Sequence, residues 1–249
     1  MSFSDDEIER YARHLVLAEI GGPGQQRLKA ARVGLVGVGG VGAPAALYLA
    51  AAGVGTLRLI DDDVVAVSNL QRQVAFTTAD VGRTKTEAGA GTLTALNPHV
   101  VIEARSERLT PASARRLLDG CDLVIDGTDD FTTRFAVSDA CLALGLPLVS
   151  GALGRWSGQV GIFEGRPCYR CLVPATPPDA ETCARVGVVG ALAGVIGSIA
   201  ALEAVKRIVG AGEPLVGRLL IYDGLAGAAR TVRIAPDPAC PACGQRDAG

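Results

Sequence analysis

Three groups of residues in this chain have types and spacings that can do chemistry. The first is Gly37-Val38-Gly39-Gly40-Val41-Gly42, which contains Gly-x-Gly-x-x-Gly. Between a strand and a helix, such glycines let the backbone approach phosphate oxygens, and the helix amides stabilise the charge. The second is a series of acids, donors and cations. Asp61-Asp62-Asp63 ends an apolar run, and Asp61 lies near the ~20-residue offset of an acid that accepts from a ribose hydroxyl. Alone, Asp61 suits a nicotinamide dinucleotide. Ser68-Asn69-Leu70-Gln71-Arg72-Gln73 then adds a donor-rich cluster, Lys85 is one of only three lysines, and Gly127-Thr128-Asp129-Asp130 follows a second apolar run. Each charge alone reads as solvated surface. Placed together at strand ends, Asp61, Asn69, Arg72, Lys85 and Asp129 converge on one ligand. Two cations and an acid suit a triphosphate with Mg²⁺, for which a hydride-transfer enzyme has no use.

The third group is Cys168-Tyr169-Arg170-Cys171 and Cys240-Pro241-Ala242-Cys243, with 68 residues between them. Two such knuckles suit tetrahedral zinc held by four thiolates. A four-cysteine site leaves no open position, so this zinc is expected to be structural, stapling the tail to the middle of the chain. Cys121 and Cys141 sit in apolar surroundings and read as core residues. Cys183 lies in Glu181-Thr182-Cys183-Ala184-Arg185, just before a helix. Its position and Arg185 could favour the thiolate, which makes it a candidate nucleophile against an incidental loop cysteine. His14 and His99 show no metal or triad spacing.

These groups need elements to hold them. Ser4-Asp5-Asp6-Glu7 has the form of a capping box, and Ile8, Tyr11, Leu15 and Ala18 continue at helical spacing to a stop at Gly21-Gly22-Pro23-Gly24. Strand Arg32–Val36, helix Val41–Ala52 and strand Thr56–Ile60 form a parallel β-α-β unit. A helix around Arg83–Leu96, a strand at Val100–Ala104 and a helix opening at Thr110-Pro111 follow. The apolar strand Leu123–Asp126, a helix over Phe131–Leu144 and a strand at Pro147–Ser150 complete the series. Beyond Gly151 the pattern changes to strands at Gln159–Phe163 and Leu219–Tyr222, a hairpin arm at Thr231–Ile234, a loop from Pro174 to Glu181 and a small-residue helix near Val188–Val209. The expected fold is α/β, a doubly wound Rossmann-like sheet, mainly parallel, with a mixed C-terminal extension. Residues 1–249 read as one domain, divided into N-terminal helices (1–30), a nucleotide-binding half (31–151) and a second half (152–249).

Composition agrees. The chain has 249 residues, 49% hydrophobic and 20% charged, a globular and not a disordered balance. Its 24 basic and 26 acidic residues give a net charge of −2, which removes bulk attraction to nucleic acid or to an acidic membrane. The acidic N-terminus lacks the basic and apolar regions of a signal peptide. The uncharged stretch Val33–Leu57 is broken by glycines and Pro44 and is expected to be buried, not membrane-spanning. A cytoplasmic location follows as the expectation.

Taken together, Arg13, the Gly37–Gly42 turn, Ser68–Gln73, Lys85, Asp126–Asp129, both cysteine pairs and Gly197–Ile208 resemble the bacterial molybdopterin-synthase adenylyltransferases. The resemblance extends to the thiamine-pathway sulfur-carrier adenylyltransferases and the ubiquitin-activating enzymes. It implies that ATP is attacked at its α-phosphate by the C-terminal carboxylate of a ubiquitin-like sulfur carrier ending in Gly-Gly. An acyl-adenylate and pyrophosphate result, and a sulfur donor (a sulfurtransferase or cysteine desulfurase) later displaces AMP. By matching position, Asp61 holds the ribose, Asn69, Arg72 and Lys85 bind phosphates, and Asp129 holds Mg²⁺. Asp63, Ser68, Leu70, Gln71 and Asp130 belong to the same nucleotide-binding set. Arg13 matches an arginine that enters the neighbouring subunit's site, which implies a homodimer. The Pro174–Glu181 loop matches one that the carrier tail threads under, and in the thiamine branch a cysteine matching Cys183 engages the carrier covalently. Asp130 departs from the asparagine common in the molybdopterin branch. No rhodanese-like domain follows, so the fused form is not expected. Two other readings use the same residues: an NAD-dependent oxidoreductase, and a zinc-stapled scaffold that binds a carrier without activating it.

Overall fold

The computed structural model describes residues 3–177 and 187–244. Its centre is the set of short apolar runs. β1 (Arg32–Val36), β2 (Thr56–Ile60), β3 (Val101–Arg105), β4 (Leu123–Asp126) and β5 (Leu148–Leu153) pair in parallel in the order 3-2-1-4-5. The chain then reverses. β6 (Ser157–Phe163), β7 (Arg218–Asp223) and β8 (Ala228–Arg233) add antiparallel strands and complete an eight-stranded sheet. The sheet is therefore mainly parallel with a mixed C-terminal side, as its sequence leads one to expect.

Strand period sets the two cores. Val33, Leu35, Leu57, Leu59, Leu123, Ile125 and Val149 face one apolar layer, built from α3 (Gly21–Ala30), α4 (Gly42–Ala51), α5 (Lys85–Leu96) and α9 (Gly190–Val209). Their neighbours Val36, Ile60, Val124 and Leu148 face the other, built from α6 (Ala114–Leu118), α7 (Phe131–Leu144) and α8 (Tyr169–Leu172). A parallel strand buried on both sides has no polar face, which explains the unbroken apolar runs. Small residues let α9 lie close: a Cβ at Gly197 would stand 2.4 Å from Pro44 of α4. Among the described residues, no helix is long and apolar enough to cross a membrane.

Three local expectations are corrected. The capping box forms, with Glu7 N donating to Ser4 Oγ and Ser4 N to Glu7 Oε2. The helix it starts is short, however: α1 (Asp5–Arg10) is followed by a single turn, α2 (Ala12–Leu15). Tyr11 breaks the helix at φ −96° and ψ 10°, because its ring packs over Gly53, where a Cβ would lie 2.4 Å from Tyr11 Cζ. Of the four apolar positions only Tyr11 is fully buried; Ile8 and Ala18 are exposed. Second, Gly21–Gly24 opens α3 instead of merely ending a helix. Pro23 falls in the first turn, where its missing N–H has no intrahelical partner to lose. Third, no helix opens at Thr110-Pro111. Thr110 N donates to Ser113 Oγ and Ser113 N to Thr110 Oγ1, a local turn that competes with helix and delays α6 to Ala114.

Candidate active site

In an open parallel sheet the crevice lies outside the C-terminal strand ends, where the strand order reverses. Here that point is between β1 and β4, and a cleft of about 410 Å³ opens over it. Gly37, Gly39, Gly40, Asp61, Asp63, Asn69, Arg72, Lys85, Asp129 and Asp130 all line it. Residues spread over 94 positions of sequence thus meet at one mouth, because β1, β2 and β4 all end there.

The glycines divide the work. Gly37 has φ +82°, and a Cβ there would lie 3.0 Å from the Gly127 carbonyl carbon and the Thr128 nitrogen. Gly42 does not line the cleft; a Cβ on it would sit 1.9 Å from the Gly37 carbonyl oxygen. Both are required for packing. Gly39 is different, since its nearest neighbour would be Gln73 Nε2 at 3.5 Å. Its lack of a side chain keeps space in the cleft that no protein atom fills.

Asp61 closes the loop at the end of β2. Its Oδ2 accepts from Val38 N at 2.7 Å and its Oδ1 from Asp63 N at 2.9 Å. Burial raises the Asp61 carboxyl above its ordinary value, and the Lys85 charge and the two amides only partly counter it. Lys85 begins α5, is buried, and donates from Nζ to Asp63 Oδ2 at 2.7 Å. A phosphate would compete with that carboxylate for the ammonium. Asn69 Oδ1 accepts from Ala66 N at 3.1 Å, which fixes its amide plane, and Arg72 Nη1 donates to Ser68 O at 3.0 Å. Asp129 is exposed in the turn after β4. Asp130 caps α7, its Oδ1 accepting from Thr133 N at 2.8 Å, a role that asparagine fills equally well.

Several expected residues lie elsewhere. Ser68, Leu70 and Gln71 do not line the cleft; Leu70 packs on the core, and Gln71 Nε2 donates to Val188 O at 3.0 Å, steadying the entry to α9. Arg13 is exposed on α2 and is not among the cleft residues. Cys183 and the end of the Pro174–Glu181 loop lie outside the described residues. Gln73, the last residue of the donor-rich cluster, lines the cleft, and so do Arg108, Arg134, Gln159 and Tyr169, which the sequence reading missed. Arg108 Nε donates to Asp62 Oδ2 at 3.0 Å. Two of these four were signalled: Tyr169 sits inside the first cysteine knuckle, and Arg134 is one helical turn past the cap Asp130.

The four knuckle cysteines come together as expected. Their sulfurs lie within 4.8 Å of one another, with Cys168 Sγ 3.6 Å from Cys240 Sγ and Cys171 Sγ 3.4 Å from Cys243 Sγ. Zinc–thiolate bonds of ~2.3 Å in a tetrahedron require sulfurs about 3.8 Å apart, so the donor set fits zinc. Burial opposes the Cys240 thiolate, but the Cys243 and Ala242 amides outweigh it and bring the group down to about 7. Burial pushes Cys168 up; a bound cation would hold it as thiolate. Cys121 and Cys141 are buried in the core, as expected.

A sequence model described as the ThiF family matches residues 11–242. This chain belongs to the ThiF family. It is 46% identical to a sulfur carrier protein adenylyltransferase of Thermus thermophilus, the match covering 98% of this chain and 93% of that protein. It is 44% identical to the SAMP-activating enzyme E1 of Haloferax volcanii, covering 98% and 92%. It is 45% identical to a probable adenylyltransferase/sulfurtransferase, MoeZ, of Mycobacterium tuberculosis, covering 96% of this chain and 63% of that one. A crystal structure of Escherichia coli MccB with MccA-N7isoASN shares the fold, with a TM-score of 0.85 at 22% identity over 98% of this chain and 76% of that one. This ThiF-family chain is an adenylyltransferase.

Proposed function

We propose that this adenylyltransferase uses ATP to activate the C-terminal Gly-Gly carboxylate of a ubiquitin-like sulfur carrier in molybdopterin (molybdenum cofactor) biosynthesis. The observation that supports this best is the meeting of Asp61, Arg72, Lys85 and Asp129 around one cleft beside the open Gly39. Asp61 holds the ribose, and the Gly37–Gly40 amides and Asn69 take the phosphates. A carrier carboxylate oxygen attacks the α-phosphorus, the bond to the bridging oxygen of the β-phosphate breaks, and pyrophosphate leaves. No proton moves in that step, but one anion must approach another, so placed positive charge lowers the barrier. Lys85 and Arg72 supply it from this chain. Mg²⁺ at Asp129 would neutralise phosphate charge further. Arg13 of a second subunit completes the site, which makes the working form a homodimer. Zinc at the four cysteines is structural. A persulfide of a sulfurtransferase or cysteine desulfurase then attacks the acyl carbon, AMP leaves, and a thiol reductant splits the resulting acyl disulfide to give the thiocarboxylate.

The test is pyrophosphate exchange into ATP, with intact-mass detection of AMP on each candidate carrier. Exchange is expected only when a Gly-Gly carrier is present, and Asp129→Ala is expected to abolish it. Exchange that persists in Asp129→Ala would remove that role. AMP transfer to a thiamine-pathway carrier, alone or with others, would replace the molybdopterin assignment. The second reading is the same reaction on the thiamine-pathway or another sulfur carrier, and the Thermus and Haloferax relatives, whose names specify no molybdopterin carrier, favour keeping it in the test.

A further inference from the structure

Beneath the cleft lies a buried cation that the reaction as described does not use. Arg134 of α7 is 7% exposed, and the acid nearest its guanidinium, Asp126, is 1% exposed. Its Nη2 donates to the Thr128 carbonyl and, at 2.9 Å, to the Gly151 carbonyl; Nη1 reaches Ser150 Oγ at 3.5 Å and lies 3.8 Å from Asp126 Oδ2. Arg134 therefore ties the turn after β4 to the end of β5. Asp126 shapes the same turn from below, with its Oδ1 accepting from Thr128 N at 3.0 Å and Thr128 Oγ1 at 2.7 Å.

That turn carries Asp129, whose carboxylate makes no hydrogen bond or ion pair among the described residues. Backbone alone places it. The turn also abuts the glycine loop, since a Cβ on Gly127 would lie 2.9 Å from Gly42 N and 3.2 Å from Gly37 O. A shift of Thr128 would move the acid and the phosphate cradle against each other.

Tyr169 lines the same cleft, is 3% exposed, and lies between the cysteines of the first knuckle. The ring is fixed edge-on to Phe163, with centroids 5.4 Å apart. The knuckle itself is held to α7 by Arg170, whose Nε and Nη2 donate to Asp139 at 2.7 and 2.8 Å.

We propose that Arg134 is a positioning residue for adenylyl transfer, setting the Gly127–Asp129 turn against the end of β5. The proposal rests on the adenylyl-transfer reading of the cleft.

The test compares wild type, Arg134→Lys and Arg134→Gln as full zinc-loaded chains. Lysine keeps the charge, but its one nitrogen cannot keep the Nη2 bonds to both carbonyls together with the Nη1 contacts to Ser150 and Asp126; glutamine keeps a donor and removes the charge. Zinc content and melting temperature serve as controls. Mn²⁺ binding in the presence of a non-hydrolysable ATP analogue, read by electron paramagnetic resonance, reports the placement of Asp129 without any carrier. Pyrophosphate exchange gives kcat and KM for ATP. Both variants are expected to keep their zinc, to bind Mn²⁺–nucleotide roughly tenfold more weakly, and to lose roughly ten- to a hundredfold in kcat, with KM for ATP raised by no more than that tenfold. Wild-type Mn²⁺ affinity and kcat in both variants would overturn the proposal, as would losses that track zinc content or melting temperature alone. A wild type that binds no Mn²⁺ with nucleotide would overturn it as well. If wild type exchanges with no carrier, the proposed function fails, and the Mn²⁺ titration still decides the role of Arg134.

Discussion

Gly39 and Gly42 stand three positions apart and do opposite jobs. A methyl group on Gly42 would lie 1.9 Å from the Gly37 carbonyl oxygen, a backbone atom that cannot step aside. Gly42→Ala is therefore expected to cost about 3 kcal/mol or more, read as a large fall in melting temperature. At Gly39 the nearest atom is a flexible side-chain nitrogen at 3.5 Å. Gly39→Ala is expected to melt within a few degrees of wild type but to bind ATP roughly tenfold more weakly by calorimetric titration, because the methyl occupies ligand space. Equal effects of the two substitutions would show that the cleft is misassigned. Cys183 gives a further residue-level expectation. The attacking group is the carrier's own carboxylate, so Cys183→Ala is expected to retain AMP transfer by intact mass. Complete loss in a folded variant would make Cys183 part of the first step.

At the scale of elements, edge strand β3 is joined to the sheet by charge as well as backbone. Glu103 accepts from Arg58 Nε of β2 at 2.8 Å and from Arg32 Nη1 of β1 at 3.0 Å, with Arg105 Nη2 at 3.3 Å. Burial pushes the Glu103 carboxyl up, but the Arg58 hydrogen bond and the three arginine charges more than offset it and hold it below its ordinary value of 4.5. A depressed folded value means the carboxylate stabilises the fold above pH 4.5 and loses that contribution as pH falls through the depressed value. Glu103→Gln is expected to lower stability by about 1.5–3 kcal/mol at pH 7, the worth of a hydrogen bond to a charged group. The difference should shrink under acid, and denaturant melts at pH 7 and below pH 4 check the sign. A difference that grows as pH falls would refute the assignment. Element boundaries were less legible than the elements themselves. The helix over Phe131–Leu144 starts and stops where its Asp130 cap and Gly145 indicate, the latter left-handed at φ +69°. The N-terminal helix did not run as its period suggests, because Tyr11 gains more by packing over Gly53 than by extending an exposed helix.

For the whole molecule, the cysteine cluster joins the tail to the second core. Cys240 and Cys243 are 2% and 1% exposed and meet α8. Chelating zinc from the intact protein is expected to lower the melting temperature by several degrees and to open residues 236–244 to protease. Binding of ATP at the Asp61 end should weaken less than tenfold, because Asp61, the proposed ribose acid, is held by Val38 and Asp63 and not by the knuckles. Unchanged melting after full zinc removal would refute the staple. What the sequence determined by itself was the cast: the glycine turn, Asp61, Arg72, Lys85, Asp129, two knuckles, and the strands that carry them. Those are local facts of residue type and period, and they survive in any arrangement that keeps each strand followed by its turn. Tertiary structure alone decided the 3-2-1-4-5 order that brings the turns to one mouth, and with it which residues became neighbours of the site. Arg134 and Tyr169 are ordinary in a linear reading, one a charged residue on a helix and the other a spacer between cysteines. They acquire their contacts only when α7 and the first knuckle pack on the same face of the sheet, because a buried guanidinium must take its acceptors from whatever backbone the fold sets within reach.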